Sequence, residues 1–114
     1  MKLLTAIIQP DKLEEVREAL LAAEISRITV CRVTGRARAD ASPELFRGRE
    51  VAPALQARVR IDIALNDDFV KPAIDAILSA ARHGEGEQGD GKIMIVPLEQ
   101  CIRIRTGESG TAAI

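Results

Sequence analysis

Hydrophobic and polar residues alternate along the chain with two periods, one typical of strands and the other of helices. Residues 2–9 form a short run rich in leucine and isoleucine that Pro10 ends, and this run predicts a buried strand. Residues 25–34 are β-branched and partly alternating, and residues 59–65 alternate cleanly, so both segments predict strands. Residues 93–96 predict a fourth. The chain therefore holds four segments that suit a single sheet.

The strand around residues 59–65 indicates most clearly which side chains are buried. Four aliphatic residues share the side that is predicted to face the core, namely Val59, Ile61, Ile63 and Leu65. Three polar residues share the opposite side, namely Arg58, Arg60 and Asp62. The alternation therefore predicts one buried face and one polar face.

Two segments repeat apolar residues at spacings of three and four, and each predicts an amphipathic helix. The first helix extends to about residue 23, and Asp11 with Glu14 fits a capping box at its start. Its apolar positions are Leu13, Val16, Leu20 and Leu21. The second helix follows a cap at Asn66, and its apolar positions are Phe69, Val70, Ala73, Ile74, Ile77, Leu78 and Ala81. We expect it to end near His83, whose imidazole would cap its C-terminus.

The predicted order is β-α-β, a long loop, then β-α-β, with a short extra strand over residues 102–105, where isoleucine and arginine alternate. Crossover connections would place both helices on one face of one sheet. This is a ferredoxin-like α+β sandwich in a single domain spanning residues 1–114. The other face would be bare and partly apolar, which is typical of an oligomer.

Composition narrows the classes of function. The 114 residues carry a formal net charge of −1, which argues against a general binder of polyanions. Phe46 and Phe69 are the only aromatic residues, so the core must be aliphatic and stacking platforms for single-stranded nucleic acid are missing. No apolar run reaches the roughly 20 residues of a membrane span, and the first residues do not resemble a signal peptide. We therefore expect a cytoplasmic protein that binds no nucleic acid.

The two cysteines and the single histidine offer no zinc-type cluster. We interpret Cys31 and Cys101 as buried thiols in a reducing compartment, with a redox pair as the alternative. No nucleophile and base stand together in the sequence. The residues thus give no positive evidence for an enzyme.

A glycine-rich loop at residues 84–91 is the first candidate site. Residues 84–89 match G-x-G-x-x-G, but a dinucleotide fingerprint needs a strand before it and a helix after it, and here that order is reversed. Glycines nevertheless let backbone N–H groups approach a phosphate, and Gly89-Asp90-Gly91-Lys92 adds a cation beside them. The alternative is a flexible turn that leads into a strand.

Two arginines form the second candidate. Arg103 and Arg105 would share one face of the short extra strand, and an anion between them would relieve their repulsion. The alternative is a pair of surface arginines that form ion pairs with Glu99 and Glu108.

The third candidate is the long loop. Between Arg36 and Arg60 six arginines stand against three acidic residues. Loops of this length are usually functional or disordered. This one carries Leu45, Phe46 and Val51 without an evident partner, which suits a segment that becomes ordered on another protein. The alternative is a solvated loop without a role.

Several stretches of this sequence resemble the PII nitrogen-regulatory signalling proteins, and the similarity covers the whole chain. One of them is Glu44-Leu45-Phe46-Arg47-Gly48, and the most specific are Gly89-Asp90-Gly91-Lys92-Ile93 and Ile102-Arg103-Ile104-Arg105-Thr106-Gly107-Glu108. The resemblance implies a homotrimer with adenine nucleotides (ATP, ADP or AMP) in the clefts between subunits. It also implies a T-loop at about residues 36–54, a B-loop at residues 84–91 and a C-terminal loop from about residue 103. The T-loop would dock onto a membrane transporter or a metabolic enzyme, through Leu45, Phe46, Arg47 and Val51.

The resemblance also assigns nucleotide-binding roles residue by residue. The B-loop residues Gly89, Asp90, Gly91 and Lys92 would hold the phosphates, and Arg103 and Arg105 would reach in from the neighbouring subunit. Arg38 would meet the terminal phosphate of ATP. The residues around the adenosine would be Thr29, Gly35, Asp62 and Ala64.

This sequence departs from the family's pattern around the effector site. The family's uridylylated tyrosine lies where Val51 stands, and the chain contains no tyrosine. Ala39 replaces a glutamine that helps to hold Mg²⁺ and 2-oxoglutarate, so binding of Mg²⁺ is doubtful. Arg58 replaces the lysine that pairs with 2-oxoglutarate. Arg38 or Arg58 could instead recognise a small anion such as bicarbonate, and the alternative from another class is a slow ATPase.

The B-loop differs as well. It is two residues longer than usual, the usual basic residue is lost, and Glu85 and Glu87 add negative charge. We therefore expect ATP to bind weakly relative to ADP or AMP.

Overall fold

The structure, a computed structural model, describes residues 1–36 and 55–114 together with the backbone of residues 44–46 and 49–51. The predictions for Arg38, Ala39 and Arg47 lie outside these residues. Those for Leu45, Phe46 and Val51 concern side chains that also lie outside what is described. The docking role of the T-loop and the effector role of Arg38 therefore stay predictions.

The two helices and the four strands of the main sheet follow the predicted order. The strands are β1 (Lys2–Ile8), β2 (Thr29–Gly35), β3 (Glu44–Phe46), β4 (Arg49–Val51), β5 (Gln56–Leu65) and β6 (Gly91–Pro97). The helices are α1 (Leu13–Ala22) and α2 (Asp67–Ala81), and short 3-10 turns cover Pro10–Lys12 and Gly110–Ala113. Strands β3 and β4 pair with each other, in the segment that we predicted to be irregular.

The main sheet has the order β2-β5-β1-β6, and all of its pairs are antiparallel. Strand β1 is central, with Ile7 opposite Arg60 on β5 and Lys92 on β6. Two residues earlier on β1, Thr5 lies opposite Asp62 on β5 and Met94 on β6. Antiparallel pairing therefore brings the end of β1, the end of β2 and the beginnings of β5 and β6 to the same edge of the sheet.

The core lies between this sheet and the two helices, and it is aliphatic as predicted. The buried apolar residues are Leu4, Ala6, Ile8, Val16, Leu20, Ile25, Val59, Ile61, Ile63, Leu65, Ala73, Ile77 and Ala81. The alternation in β5 is thus confirmed, because its four predicted core residues are all buried. Among the described residues, no helix is both long enough and apolar enough to cross a membrane.

The predicted extra strand at residues 102–105 does not form. Ile102 makes a single bridge to Ser109, and between them the chain turns back on itself. The Arg103 N–H donates to the Glu108 carbonyl, and the Gly107 N–H donates to the Arg103 carbonyl. These bonds close a tight loop, so Arg103 and Arg105 do not share a strand face.

Two further predictions are wrong. Asp11 lies inside the 3-10 turn that precedes α1, and no side chain in the described part of the chain caps the start of this helix. Cys31 is exposed on the edge strand β2 and Cys101 is half-buried, so neither is the fully buried thiol that we expected.

Neighbouring leucines on α1 test how much the core contributes to stability. Leu20 is fully buried and Leu21 is 63% exposed. We expect Leu20→Ala to lower the free energy of unfolding by about 2–5 kcal/mol, because it leaves a cavity. Leu21→Ala, with the same change in helix propensity, should cost less than about 0.5 kcal/mol. Denaturant unfolding at a fixed protein concentration measures both, and equal losses would contradict the burial assigned to α1.

Candidate functional site

A cleft of about 620 Å³ opens at the edge where β1 and β2 end and β5 and β6 begin. The residues that line it are Ile7, Val33, Thr34, Gly35, Arg36, Arg58, Arg60, Gly89, Gly91 and Lys92. Four of these are cations and three are glycines. The sequence predictions for Gly35, Gly89, Gly91 and Lys92 therefore meet in one place.

Gly91 fixes how the glycine loop joins the sheet. Its φ angle is +114°, and a β-carbon at this position would lie 1.8 Å from the carbonyl oxygen of Ile7. Any side chain would therefore collide with the backbone of β1. Because Gly91 pairs with Ile8 in the sheet, this close contact places Lys92 directly opposite Ile7, at the mouth of the cleft.

Gly89 is held by a side chain from the other end of the sequence. The Gln9 Nε2 atom donates to the Gly89 carbonyl oxygen over 2.9 Å. Gly89 has a φ angle of +89°, and a β-carbon there would lie 3.3 Å from the same Nε2 atom. The residue after β1 thus supports the loop that borders the cleft.

Asp90 points to the inside of the loop. Its carboxylate accepts hydrogen bonds from the backbone N–H of Glu87 at 2.7 Å and from that of His83 at 3.2 Å. The same carboxylate lies 2.6 Å from Nδ1 of His83. Asp90 does not line the cleft, and in this chain it organises the loop around Gly89 and Gly91.

His83 lies between two carboxylates, so the prediction that it caps α2 is wrong. Its Nδ1 faces Asp90, and its Nε2 lies 2.8 Å from Oδ2 of Asp11. Hydrogen bonds to Asp11 and then to Asp90 raise the pKa of His83 above the ordinary 6.5. The pKa of Asp90 is lowered, first by the Glu87 N–H and then by His83, and that of Asp11 is lowered chiefly by His83.

The cations of the cleft differ in how firmly they are held. Arg58 is on the polar side of β5 as predicted, yet it is only 8% exposed. Its Nη1 donates to the Ala57 carbonyl and its Nη2 to the side chain of Gln56. Arg60 pairs with Asp62 at 3.0 Å. Lys92 has no ion-pair partner among the residues that the structure describes, so its charge is available to a ligand.

The remaining predicted nucleotide-binding residues lie away from this cleft within one chain. Thr29 and Asp62 are opposite each other in the sheet, and Asp62 accepts a 2.6 Å bond from the Thr5 hydroxyl. Ala64 lies two residues beyond Asp62 on β5, further from the cleft. Arg103 is engaged with Glu108 and with the Ala112 carbonyl, as the ion-pair alternative for this arginine described.

Sequence reasoning missed three features of the site. The excess of arginine between residues 36 and 60 was a usable signal for Arg36 and Arg60, which line the cleft. No local pattern pointed to Gln9 as the support of Gly89. Asp11 and His83 are brought together only by the packing of distant elements, so no spacing in the sequence could reveal their contact.

The fold and the cleft together define a small ferredoxin-like α+β protein with a cation-lined cleft at one edge of its sheet. Comparison with known proteins identifies the family to which it belongs. The family model "Nitrogen regulatory protein P-II" matches residues 1–108. The chain belongs to this family of signal-transduction proteins of nitrogen regulation, which confirms the resemblance and the ferredoxin-like fold.

Individual relatives match over the full length of the chain. It is 41% identical to the nitrogen regulatory protein GlnK1 of Methanosarcina mazei, covering all of this chain and 97% of the relative. It is 47% identical to the nitrogen regulatory protein P-II of Bradyrhizobium diazoefficiens and 46% identical to GlnK of Escherichia coli K12. Both of these matches cover all of each chain.

The collision predicted at Gly91 can be tested against another glycine of the same loop. Gly91→Ala should lower the free energy of unfolding by roughly 3 kcal/mol or more, because β1 and β6 must separate to admit the methyl group. Gly84 also has a positive φ angle, +59°, but a β-carbon there would meet no described residue within 4 Å, so Gly84→Ala adds no such collision. It should cost only roughly 1–2 kcal/mol. Thermal and denaturant unfolding compare the two, and equal losses would contradict the close contact with Ile7.

Proposed function

We propose that this chain is a homotrimeric PII-type signal transducer that binds adenine nucleotides in clefts between its subunits. Occupancy of the clefts would control the T-loop, which in turn docks onto a membrane transporter or a metabolic enzyme. The protein would act by binding, in the cytoplasm, and would not be an enzyme. Family membership supports the regulatory role, and the cleft supports the choice of ligand.

The observation that carries this proposal is the convergence of four cations with the glycine loop. Arg36, Arg58, Arg60 and Lys92 border the same cleft as Gly89 and Gly91. Like charges brought this close repel one another, and a bound polyphosphate would relieve that repulsion. Guanidinium groups also suit the geometry of phosphate oxygens. A volume of about 620 Å³ is in the range of pockets that hold ligands of nucleotide size.

Completion of the cleft by a second subunit is part of the proposal. The face of the sheet that carries no helices includes Met94 and Val96, which are 42% and 50% exposed. Ile104, at the turn between Arg103 and Gly107, is fully exposed in the single chain. Association through such apolar positions would bring the turn with Arg103 and Arg105 against a neighbour's cleft.

One feature of the chain argues against control by tyrosine modification, and another argues against catalysis. The sequence contains no tyrosine, so uridylylation of a T-loop tyrosine has no acceptor. The single histidine is engaged by Asp11 and Asp90, which leaves it unsuited to activate a water molecule at the cleft. A slow ATPase therefore has less support than a nucleotide-binding regulator.

Lys92 provides the most direct test of the ligand. We expect Lys92→Gln to weaken ADP binding by roughly 1.5–3 kcal/mol, the usual value of a hydrogen bond to a charged group. The matched control is Lys71→Gln, which makes the same change in charge at an exposed site paired with Asp75 on α2. Calorimetric titration with ADP measures both variants. Equal affinities would remove Lys92 from the site, and no binding of ADP to the unmodified protein would overturn the proposed ligand.

Mixed trimers test whether one cleft needs two subunits. Trimers of Lys92→Gln alone or of Arg105→Gln alone should bind ADP weakly, since each lacks one contributor in every cleft. Refolding the two variants together should restore a fraction of tight sites, because some clefts then combine Lys92 from one chain with Arg105 from another. Titration of the mixture against the separate variants checks this. Absence of any tight fraction would contradict the shared cleft.

A further inference from the structure

The bridge that His83 makes between Asp11 and Asp90 lies beside the cleft, and none of its three residues lines it. It connects the 3-10 turn before α1 to the glycine loop after α2, and its two contacts measure 2.8 and 2.6 Å. His83 is 27% exposed at its side chain, so water reaches the bridge and protons can exchange. Asp11 lies on the turn that follows β1, and Asp90 immediately precedes β6.

The chemistry of the ring makes this bridge depend on one proton. Both partners of the imidazole are carboxylates, which only accept hydrogen bonds when ionised. A doubly protonated ring donates to both of them. A neutral ring has one N–H and one lone pair, so one carboxylate would then face a lone pair at hydrogen-bond distance. The bridge is therefore complete only when His83 carries a positive charge.

The contact with Asp11 is the one that opens when the proton leaves. Asp90 keeps its place without the ring, because it also accepts from the backbone N–H groups of Glu87 and His83. Asp11 is 65% exposed at its side chain, and its contact with Nε2 is the link to the loop. A neutral ring thus retains Nδ1–H on Asp90 and releases the turn before α1.

We infer that His83 is a positioning residue that fastens the glycine loop to Asp11 when protonated and releases it when neutral, which makes affinity for ADP depend on pH. The dependence of ADP affinity on pH rests on the proposed function, whereas the fastening of the loop does not. The fastened loop presents Gly89 and Gly91 in the arrangement that borders the cleft. Protonation also adds a positive charge to a loop that carries Glu85, Glu87 and Asp90.

Charged groups on the neighbouring elements set the direction of the effect. They are Asp11 and Lys12 on the turn, Arg82 after α2, and Glu85, Glu87 and Asp90 on the loop. Among the charged side chains that the structure describes, Asp11 and Asp90 form ion pairs with the ring. Both raise the pKa of His83 above 6.5. The stability that the bridge contributes is thus fully present below pH 6.5 as long as both carboxylates are ionised, and it is lost as the pH rises through the raised pKa of His83.

Because His83 is the only histidine, NMR signals of its ring report the bridge without ambiguity. In the full chain we expect a titration midpoint above 6.5, and a lower midpoint in Asp11→Asn. Asp75→Asn is the matched control, since it neutralises an exposed carboxylate that pairs with Lys71. It should leave the midpoint unchanged. A midpoint at or below the ordinary value, or no response to Asp11→Asn, would overturn the bridge.

Backbone amide signals of residues 84–91 show whether the loop follows the proton. We expect them to shift with the same midpoint as the His83 ring, and to shift much less in Asp11→Asn, where the link to the turn is weakened. Loop signals that ignore the titration of the ring would overturn the positioning role. Neither measurement uses a nucleotide, so both decide the loop's behaviour even if ADP does not bind.

Titrations with ADP then test the regulation. Between about pH 6 and about pH 8.5, affinity in the unmodified protein should fall several-fold relative to that in Asp11→Asn, because the fastened loop binds ADP more tightly. Referring to Asp11→Asn removes the ionisation of ADP itself. Parallel pH profiles in the two proteins would overturn the regulatory half. If the unmodified protein binds no ADP at either pH, the proposed function and this half fail together, while the NMR result stands.

Discussion

The approach of Gly91 to the Ile7 carbonyl is the constraint on which the site depends. No side chain fits between these two backbone segments, so β6 begins where the glycine loop touches the end of β1. That contact sets Lys92 opposite Ile7, and Gln9 then reaches Gly89 from just beyond the same strand. The cleft is thus shaped by how closely two backbones can pack, and its charged side chains follow from that position.

The spacing of apolar residues along the chain predicted those strands and helices whose apolar positions are also the buried ones. The alternation in β5 and the apolar spacing of both helices each put aliphatic residues on one side, and the core is built from them. The same reasoning failed at residues 102–105, where isoleucine and arginine alternate without a strand. There the hydrogen bonds among Arg103, Gly107 and Glu108 stabilise a turn, and alternation alone does not distinguish a turn from a short strand.

Sequence reasoning named cleft-lining residues that carry their own chemical signal, and it missed contacts that only tertiary packing creates. Two glycines followed by a lysine are typical of a loop that binds anions, and Gly89, Gly91 and Lys92 line the cleft. Arg58 belongs to the polar side of its strand, but it is buried, with Gly35 and Gly89 packed beside it and its guanidinium bonded to Ala57 and Gln56. Asp90 belongs to the motif predicted to contact phosphate, whereas its carboxylate is hydrogen-bonded to the His83 ring and to the backbone N–H of Glu87.

The order of strands in the main sheet has a consequence for how the chain folds. Strand β1 is central, yet both of its partners, β5 and β6, lie far along the sequence. Even the nearest pairing in that sheet, Gly35 with Gln56, spans the whole T-loop. Closing such long loops costs entropy before any contact repays it, so folding is slower than in helical proteins of this length. During synthesis, β1 leaves the ribosome first and stays unpaired until β5 has been made.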